Sequence, residues 1–167
     1  MLNKGALLIL GIMSFLNSFS QVESTSYSLM LKALIKESIP IVAVADLDQK
    51  QIQSTTFIDS REKVEFDVSH IKGATWVGYD DFDMARMDAI SKNEPIIIYC
   101  SVGYRSEEIG EKLIEAGYTN VSNLYGGIFE WVNQGKPIVD LSGKPTTKIH
   151  GYSKTWGIWL SKGEKVY

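Results

Sequence analysis

PIIIYCSVGYRSEEIGEKLIEAG, residues 95–117, sets the architecture. Pro95 opens a run of isoleucines and a tyrosine with no polar alternation, as expected of a strand covered on both faces. Ile109, Leu113 and Ile114 then share one side of a helix expected over about residues 106–116, and Gly117 supplies a C-cap. Between strand and helix lies a tight loop that begins with Cys100, the one cysteine in the chain.

Outward from this stretch, strands and helices alternate with short connections. TFID, residues 56–59, reads as a strand ending in an aspartate, and IVAV after Pro40 as another. Residues 62–66 and 85–90 are expected to be helical, residues 46–51 to make a turn or two, and residues 75–77 a brief strand after a turn at Gly73. Residues 120–124 form a further strand, then Gly126, Gly127 and the helix-like IFEWVNQ. This order predicts an α/β fold, a sheet sandwiched between helices.

The flanks read differently. Residues 1–20 carry Lys4, an apolar run over 6–16 and small residues Ser18 and Ser20, the layout of a cleaved signal peptide. The run is too short for the roughly 20 residues of a membrane-spanning helix. An exported chain, periplasmic or secreted, with no stable membrane span is the expectation. Residues 21–38 form an N-terminal extension in which Tyr27, Leu31, Leu34 and Ile35 make an apolar helical stripe. The domain proper is assigned to 39–135. The tail, 136–167, has no clear period, but Trp156, Ile158 and Trp159 are too apolar for a free linker and are expected to pack back on the domain.

Charge narrows the partners. Seventeen basic residues against 20 acidic ones leave a formal charge of −3, with no basic cluster. On that ground nucleic acid is excluded as a partner, because phosphate neutralisation supplies most of such affinity. Two histidines and one cysteine form no metal-ligand spacing, so neither a metal nor a cofactor is expected.

An odd thiol is buried and inert, paired with another chain, or reactive. A structural cysteine ending a core strand is the plain alternative. Against it stands the sequence Cys100-Ser101-Val102-Gly103-Tyr104-Arg105-Ser106, placed beyond the carboxyl end of a central strand, where open α/β sheets bind ligands. Gly103 permits a sharp curl that aims backbone N–H groups inward, and the helix start adds its own. Arg105 contributes a fixed positive charge, and Ser106 a helix cap. Such surroundings favour a thiolate nucleophile.

With these residues, the sequence resembles the rhodanese family of sulfurtransferases in its single-domain form. The resemblance runs over residues 39–133 and rests on TFIDSRE with Asp59 and Arg61, FDVSHIKGA with His70 and Gly73, the CSVGYRS loop, and YTNVSNLYGGIFEW with Gly126, Gly127 and Trp131. It implies a three-layer sandwich with a mainly parallel central sheet. It also implies a persulfide mechanism: Cys100 takes a sulfane sulfur from thiosulfate or an organic persulfide and passes it to a thiol, cyanide or a partner protein's thiol. Cys100 and Arg105 would be catalytic, and Ser101, Val102, Gly103, Tyr104 and Ser106 would form the substrate loop. Asp59, Arg61, His70, Gly126 and Gly127 would support it. The alternative is a persulfide carrier or protein-binding module with the same fold and no turnover.

Two departures qualify the substrate. Cysteine-dependent phosphatases of similar layout place one residue more between cysteine and arginine than the four found here, so a phosphoryl group fits poorly. The loop also lacks a basic residue before Arg105, while Val102 and Tyr104 give it an apolar rim. That rim suits an organic persulfide or a protein partner better than the thiosulfate dianion. Tyr79–Phe82 is a further candidate rim segment.

Overall fold

The computed structural model describes residues 24–167. The stretch expected to be a signal peptide, residues 1–20, lies outside the described residues. Five parallel strands form the central sheet: β1 (Ile41–Ala43), β2 (Thr56–Asp59), β3 (Thr75–Trp76), β4 (Ile96–Tyr99) and β5 (Val121–Tyr125), in the order β1-β5-β4-β2-β3. β4 lies at the centre, with Ile98 opposite Ile58 of β2 on one side and Asn123 of β5 on the other.

Strand alternation divides the core into two layers. Ile97 and Tyr99 of β4 point to one face with Phe57 and Leu124; Ile96 and Ile98 point to the other with Ile58 and Val121. The second face is covered by α4 (Tyr104–Glu115), whose Ile109 and Leu113 are fully buried. The first is covered by α1 (Thr25–Leu34) and α5 (Gly127–Asn133). Two short helices, α2 (Gln49–Ser54) and α3 (Lys63–Val68), lie in the β1-to-β2 and β2-to-β3 crossovers. An α/β sandwich about a parallel sheet is therefore the fold, as the alternation of elements implied.

Three local details differ from the sequence expectation. α4 starts at Tyr104, not Ser106, because Gly103 takes a left-handed conformation (φ +112°) and serves as N-cap. The Ser106 hydroxyl, expected to cap, instead donates to Asn123 Oδ1 at 2.7 Å within the core. Residues 85–90 form no α-helix: Met84–Met87 is a 3₁₀ turn capped by Asp83, which accepts from the Ala85 N–H.

The tail folds into short pieces that periodicity does not reveal. β6 (Ile138–Val139) pairs with β7 (Pro145–Thr146), and β8 (Lys148–His150) pairs in parallel with β9 (Glu164–Val166). A 3₁₀ turn over Trp156–Trp159 stacks Trp159 on Tyr27 of α1, ring centroids 5.5 Å apart. Asn133 at the end of α5 clamps this turn, donating to the Trp159 carbonyl at 2.9 Å and accepting from the Ser161 N–H at 2.8 Å. Among the described residues no helix is long and apolar enough to cross a membrane.

Candidate functional site at the carboxyl end of the central strand

Cys100 follows β4 directly, and the chain curls through Ser101 and Val102 to Gly103 before entering α4. The Gly103 N–H points back at Cys100 Sγ, 3.1 Å away. The loop's carbonyls turn the other way, into the start of α5: Ile128 donates to Cys100 O at 2.9 Å and Phe129 to Ser101 O at 3.1 Å. Gly127 makes this approach possible. A Cβ there would lie 2.4 Å from Cys100 O and 2.6 Å from Ser101 O. With these two carbonyls turned out and the Gly103 N–H turned in, one backbone donor faces the sulfur, an arrangement suited to negative charge there.

Arg105 does not reach into this curl as a free charge. Its terminal nitrogens hold the Glu65 carboxylate of α3 at 2.7 and 2.9 Å, and the second also meets Ser101 Oγ at 3.0 Å. Ser101 donates to Glu65 at 2.8 Å, so loop and α3 are tied by one buried network. Burial alone would raise the Glu65 carboxyl, but the hydrogen bonds and charge of Arg105 outweigh it and hold it below the ordinary value. Burial likewise disfavours the Arg105 cation, and its hydrogen bonds to Glu65 more than restore it. Sequence reasoning missed Glu65, forty residues upstream in a helix that reads as solvated.

Asp59 and Arg61 sit behind the loop, both fully buried. Arg61 grips the Asp59 carboxylate through Nε and a terminal nitrogen, and the same nitrogen donates to the Ser69 carbonyl at 2.7 Å. The pair joins the end of β2 to the turn after α3, where Tyr99 of β4 accepts the Ile71 N–H at 3.1 Å. His70 lies further out. Its ring stacks on Phe66 at 4.0 Å and its backbone exchanges two hydrogen bonds with Val139, both at 2.9 Å. Gly126, at φ +80°, offers its carbonyl to the Tyr27 hydroxyl at 2.7 Å, which anchors α1 beside the loop.

Cys100 is only 1 % exposed, yet it is not sealed in the core. It lines a cavity of ≈ 290 Å³. Ser101, Val102, Tyr104 and Arg105 line it from the loop and α4, Leu34 from α1, Tyr79 from the segment after β3, and Tyr152 and Trp156 from the tail. Tyr152 lies over the Arg105 guanidinium at 4.9 Å from the ring centroid. Tyr79 donates its hydroxyl to Glu108, and that bond, with burial second, pushes the phenol up to about 12. His150 is held below its ordinary value, first by burial and then by the nearby Arg61 and Arg105 charges. Among the described residues no group of His, Cys, Asp or Glu is placed to hold a metal ion.

Comparison with known proteins agrees with this fold. A solved rhodanese-related protein from Thermoplasma volcanium is 25 % identical, with a TM-score of 0.52 over 60 % of this chain and 98 % of that one. A rhodanese-like domain from Anabaena sp. superposes with a TM-score of 0.56 at 23 % identity, over 62 % of this chain and 80 % of that one. Among curated relatives, a tRNA uridine(34) hydroxylase of Hamiltonella defensa is 34 % identical over 118 residues, 66 % of this chain and 30 % of that protein. One of Bacillus cereus is 37 % identical over 81 residues, 46 % of this chain and 25 % of that protein. The chain thus spans less than a third of the length of these two relatives.

These relatives correct one sequence expectation. Nucleic acid was excluded on charge, but both are named for a reaction on tRNA, and the exclusion does not stand. The physical reason is plain: a net charge taken over one domain does not constrain phosphate contacts made through local donors or through other parts of a longer protein. The rhodanese-like domain description itself matches residues 43–134, more than half of the chain, from β1 to the end of α5 with the Cys100 loop inside it. This chain belongs to the rhodanese-like domain family.

Proposed function

We propose that this chain takes a sulfane sulfur onto Cys100 and holds it there as a persulfide for delivery to an acceptor. The observation that carries this reading is that Cys100 lines a cavity while its Sγ lies 3.1 Å from the Gly103 N–H. The Cys100 thiolate attacks the outer sulfur of the donor and a new S–S bond forms. The donor's bond to that sulfur breaks, and its electron pair leaves with the remainder of the donor. The product, Cys–S–S⁻, carries its charge on the terminal sulfur, beside the loop whose Gly103 N–H faces Cys100.

Roles follow for the surrounding residues. Cys100 is the sulfur-bearing atom, and Ser101, Val102, Gly103 and Tyr104 enclose it. Arg105 holds the loop's shape through Glu65. Asp59, Arg61, His70, Gly126 and Gly127 support the frame. The domain at 39–135 does the chemistry, and the described parts of the extensions assigned to 21–38 and 136–167, residues 24–38 and 136–167, pack around it.

A neutralised Arg105 supports the carrier reading over thiosulfate turnover, because among the described residues no free cation lines the cavity to receive a dianion. Catalytic turnover by a sulfurtransferase is the second reading, supported by the access that the cavity gives to a small acceptor. In that case the acceptor attacks the outer sulfur and the Cys100 thiolate is released. The curated relatives are named for chemistry on a tRNA uridine, so tRNA joins thiols and cyanide among the acceptors to offer.

Intact mass after exposure to a persulfide donor tests the proposal. Gain of one sulfur, lost on adding a thiol and absent in Cys100→Ser, is the expected result. No gain with any donor overturns it. Repeated turnover with excess acceptor selects the sulfurtransferase reading, and one delivery per loading cycle selects the carrier.

The leader-like residues 1–20 also lead us to propose export to a periplasm or beyond. An N-terminus near residue 21 on the recovered protein is expected; an intact Met1 on exported or total protein overturns it.

A further inference from the structure

The cavity over Cys100 has walls of an unusual origin. Three of its lining residues, Leu34, Tyr152 and Trp156, lie outside residues 43–134, the part shared with the family. They belong to α1 and to the tail, and both are fixed in place. Tyr27 of α1 stacks on Trp159 and bonds the Gly126 carbonyl, while Asn133 clamps the tail's 3₁₀ turn. The walls are therefore built into the fold and are not a loose flap.

Three polar side chains around the cavity, Arg105, Ser101 and Tyr79, already have partners within the protein. The Arg105 terminal nitrogens hold Glu65, the Ser101 hydroxyl donates to Glu65, and the Tyr79 hydroxyl donates to Glu108. Tyr152 covers the Arg105 guanidinium face. What remains for a ligand is Leu34, Val102 and the aromatic rings of Tyr79, Tyr104, Tyr152 and Trp156. An inorganic dianion entering here would lose water and gain no free cation; an apolar substituent would lose water favourably.

We propose that Leu34, Tyr152 and Trp156 convert the Cys100 loop into an organic-donor pocket, selecting sulfane-sulfur donors with an aryl or other bulky apolar substituent. This rests on the persulfide reading and assigns its substrate class. For a thiosulfonate donor the step is a displacement at the outer sulfur. The Cys100 thiolate forms an S–S bond, the bond between the outer sulfur and the sulfonyl sulfur breaks, and a sulfinate departs with the electron pair. No proton, oxidant or reductant is needed. The substituent on the sulfinate occupies the space between Tyr152, Trp156 and Leu34.

Loading rates of Cys100 with thiosulfate, methanethiosulfonate and benzenethiosulfonate, followed by intact mass on the full chain, test this. Each rate is normalised to the same donor's reaction with free cysteine at the same pH, which removes intrinsic reactivity. In the wild type the normalised rate with the benzene donor exceeds that with the methane donor by about tenfold or more, and thiosulfate is slowest. Trp156→Ala and Tyr152→Ala each reduce that ratio several-fold, and Trp156→Phe restores most of it. Tyr152 is 49 % exposed, so its replacement leaves the core intact and keeps the test valid if Trp156→Ala misfolds. A ratio near one in the wild type, or one unchanged by both alanine variants, overturns the pocket while leaving persulfide formation standing. Absence of loading with all three donors overturns the persulfide reading, and the pocket with it.

Discussion

Glu65 on α3 and Arg105 on α4 form a two-pronged ion pair, 2.7 and 2.9 Å, between helices from separate crossovers, β2 to β3 and β4 to β5. The side chains are 1 % and 11 % exposed, so solvent screens the pair little. Ser101 joins it, and the cysteine loop is thereby held from its side-chain face while α5 holds it from its carbonyl face. Arg105 serves the shape of the site before it serves any ligand.

Replacing Glu65 by Gln should therefore cost about 3 kcal/mol, since it leaves a guanidinium buried without its counter-charge. The dependence on pH follows from the direction of the shift. A carboxyl held below its ordinary value stabilises the fold above the unfolded-state value, and that contribution is lost as pH falls through the folded-state value. Urea denaturation of wild type and variant from pH 7 downward should show the largest gap near neutrality, narrowing in acid. A gap that widens on acidification contradicts the assignment.

Arg105→Lys keeps the charge and loses the fork. One amine cannot meet both Glu65 oxygens and Ser101 Oγ with the same geometry, so the loop should loosen. Amide exchange at residues 101–104 should rise, and sulfur loading should slow by about tenfold or more. Unchanged exchange with slowed loading would instead place Arg105 in direct contact with the donor.

At Gly127 the demand is steric and conformational at once. Its φ of +58° is left-handed, and an added Cβ would overlap the Cys100 and Ser101 carbonyls. Gly127→Ala should destabilise by about 3 kcal/mol and impair loading together, measured by thermal melting and intact mass. Gly117→Ala is the control: it shares a positive φ (+92°) but has open space around it, so it should carry the conformational cost alone.

How far the sequence disclosed all this depended on whether a signal was local. β4 was legible because a strand covered on both faces needs an unbroken apolar run, and Ile96–Tyr99 supplies one. TFID was legible to the residue, since its boundaries are set by its own side chains. The start of α4 was misplaced because serine's capping preference is a local tendency, and the Ser106 hydroxyl found a better partner in Asn123 across the sheet. Glu65 left no trace at all. A buried acid in KVEFDV looks like any solvated helix face until its partner, distant in sequence, is known. Tyr152 and Trp156 reach the cavity through a tail held by isolated contacts and short strand pairs, which have no period to detect.

That tail yields the last prediction. Asn133 is almost fully buried, and its side-chain amide holds Trp159 O at 2.9 Å and the Ser161 N–H at 2.8 Å. Asn133→Ala removes these bonds and the longer one from the Lys162 N–H, leaving three backbone groups without their partner, a cost of about 2 kcal/mol. The loss should fall on the tail rather than on the sheet, because α5 keeps its packing through Phe129 and Trp131. Hydrogen exchange should accelerate over residues 148–167 while protection of β4 and β5 drops only by the change in global stability. Should protection fall evenly through the sheet and the tail, the tail is part of one cooperative unit with the core. If the tail alone opens, Cys100 loses the wall formed by Tyr152 and Trp156 while its own loop stays in place.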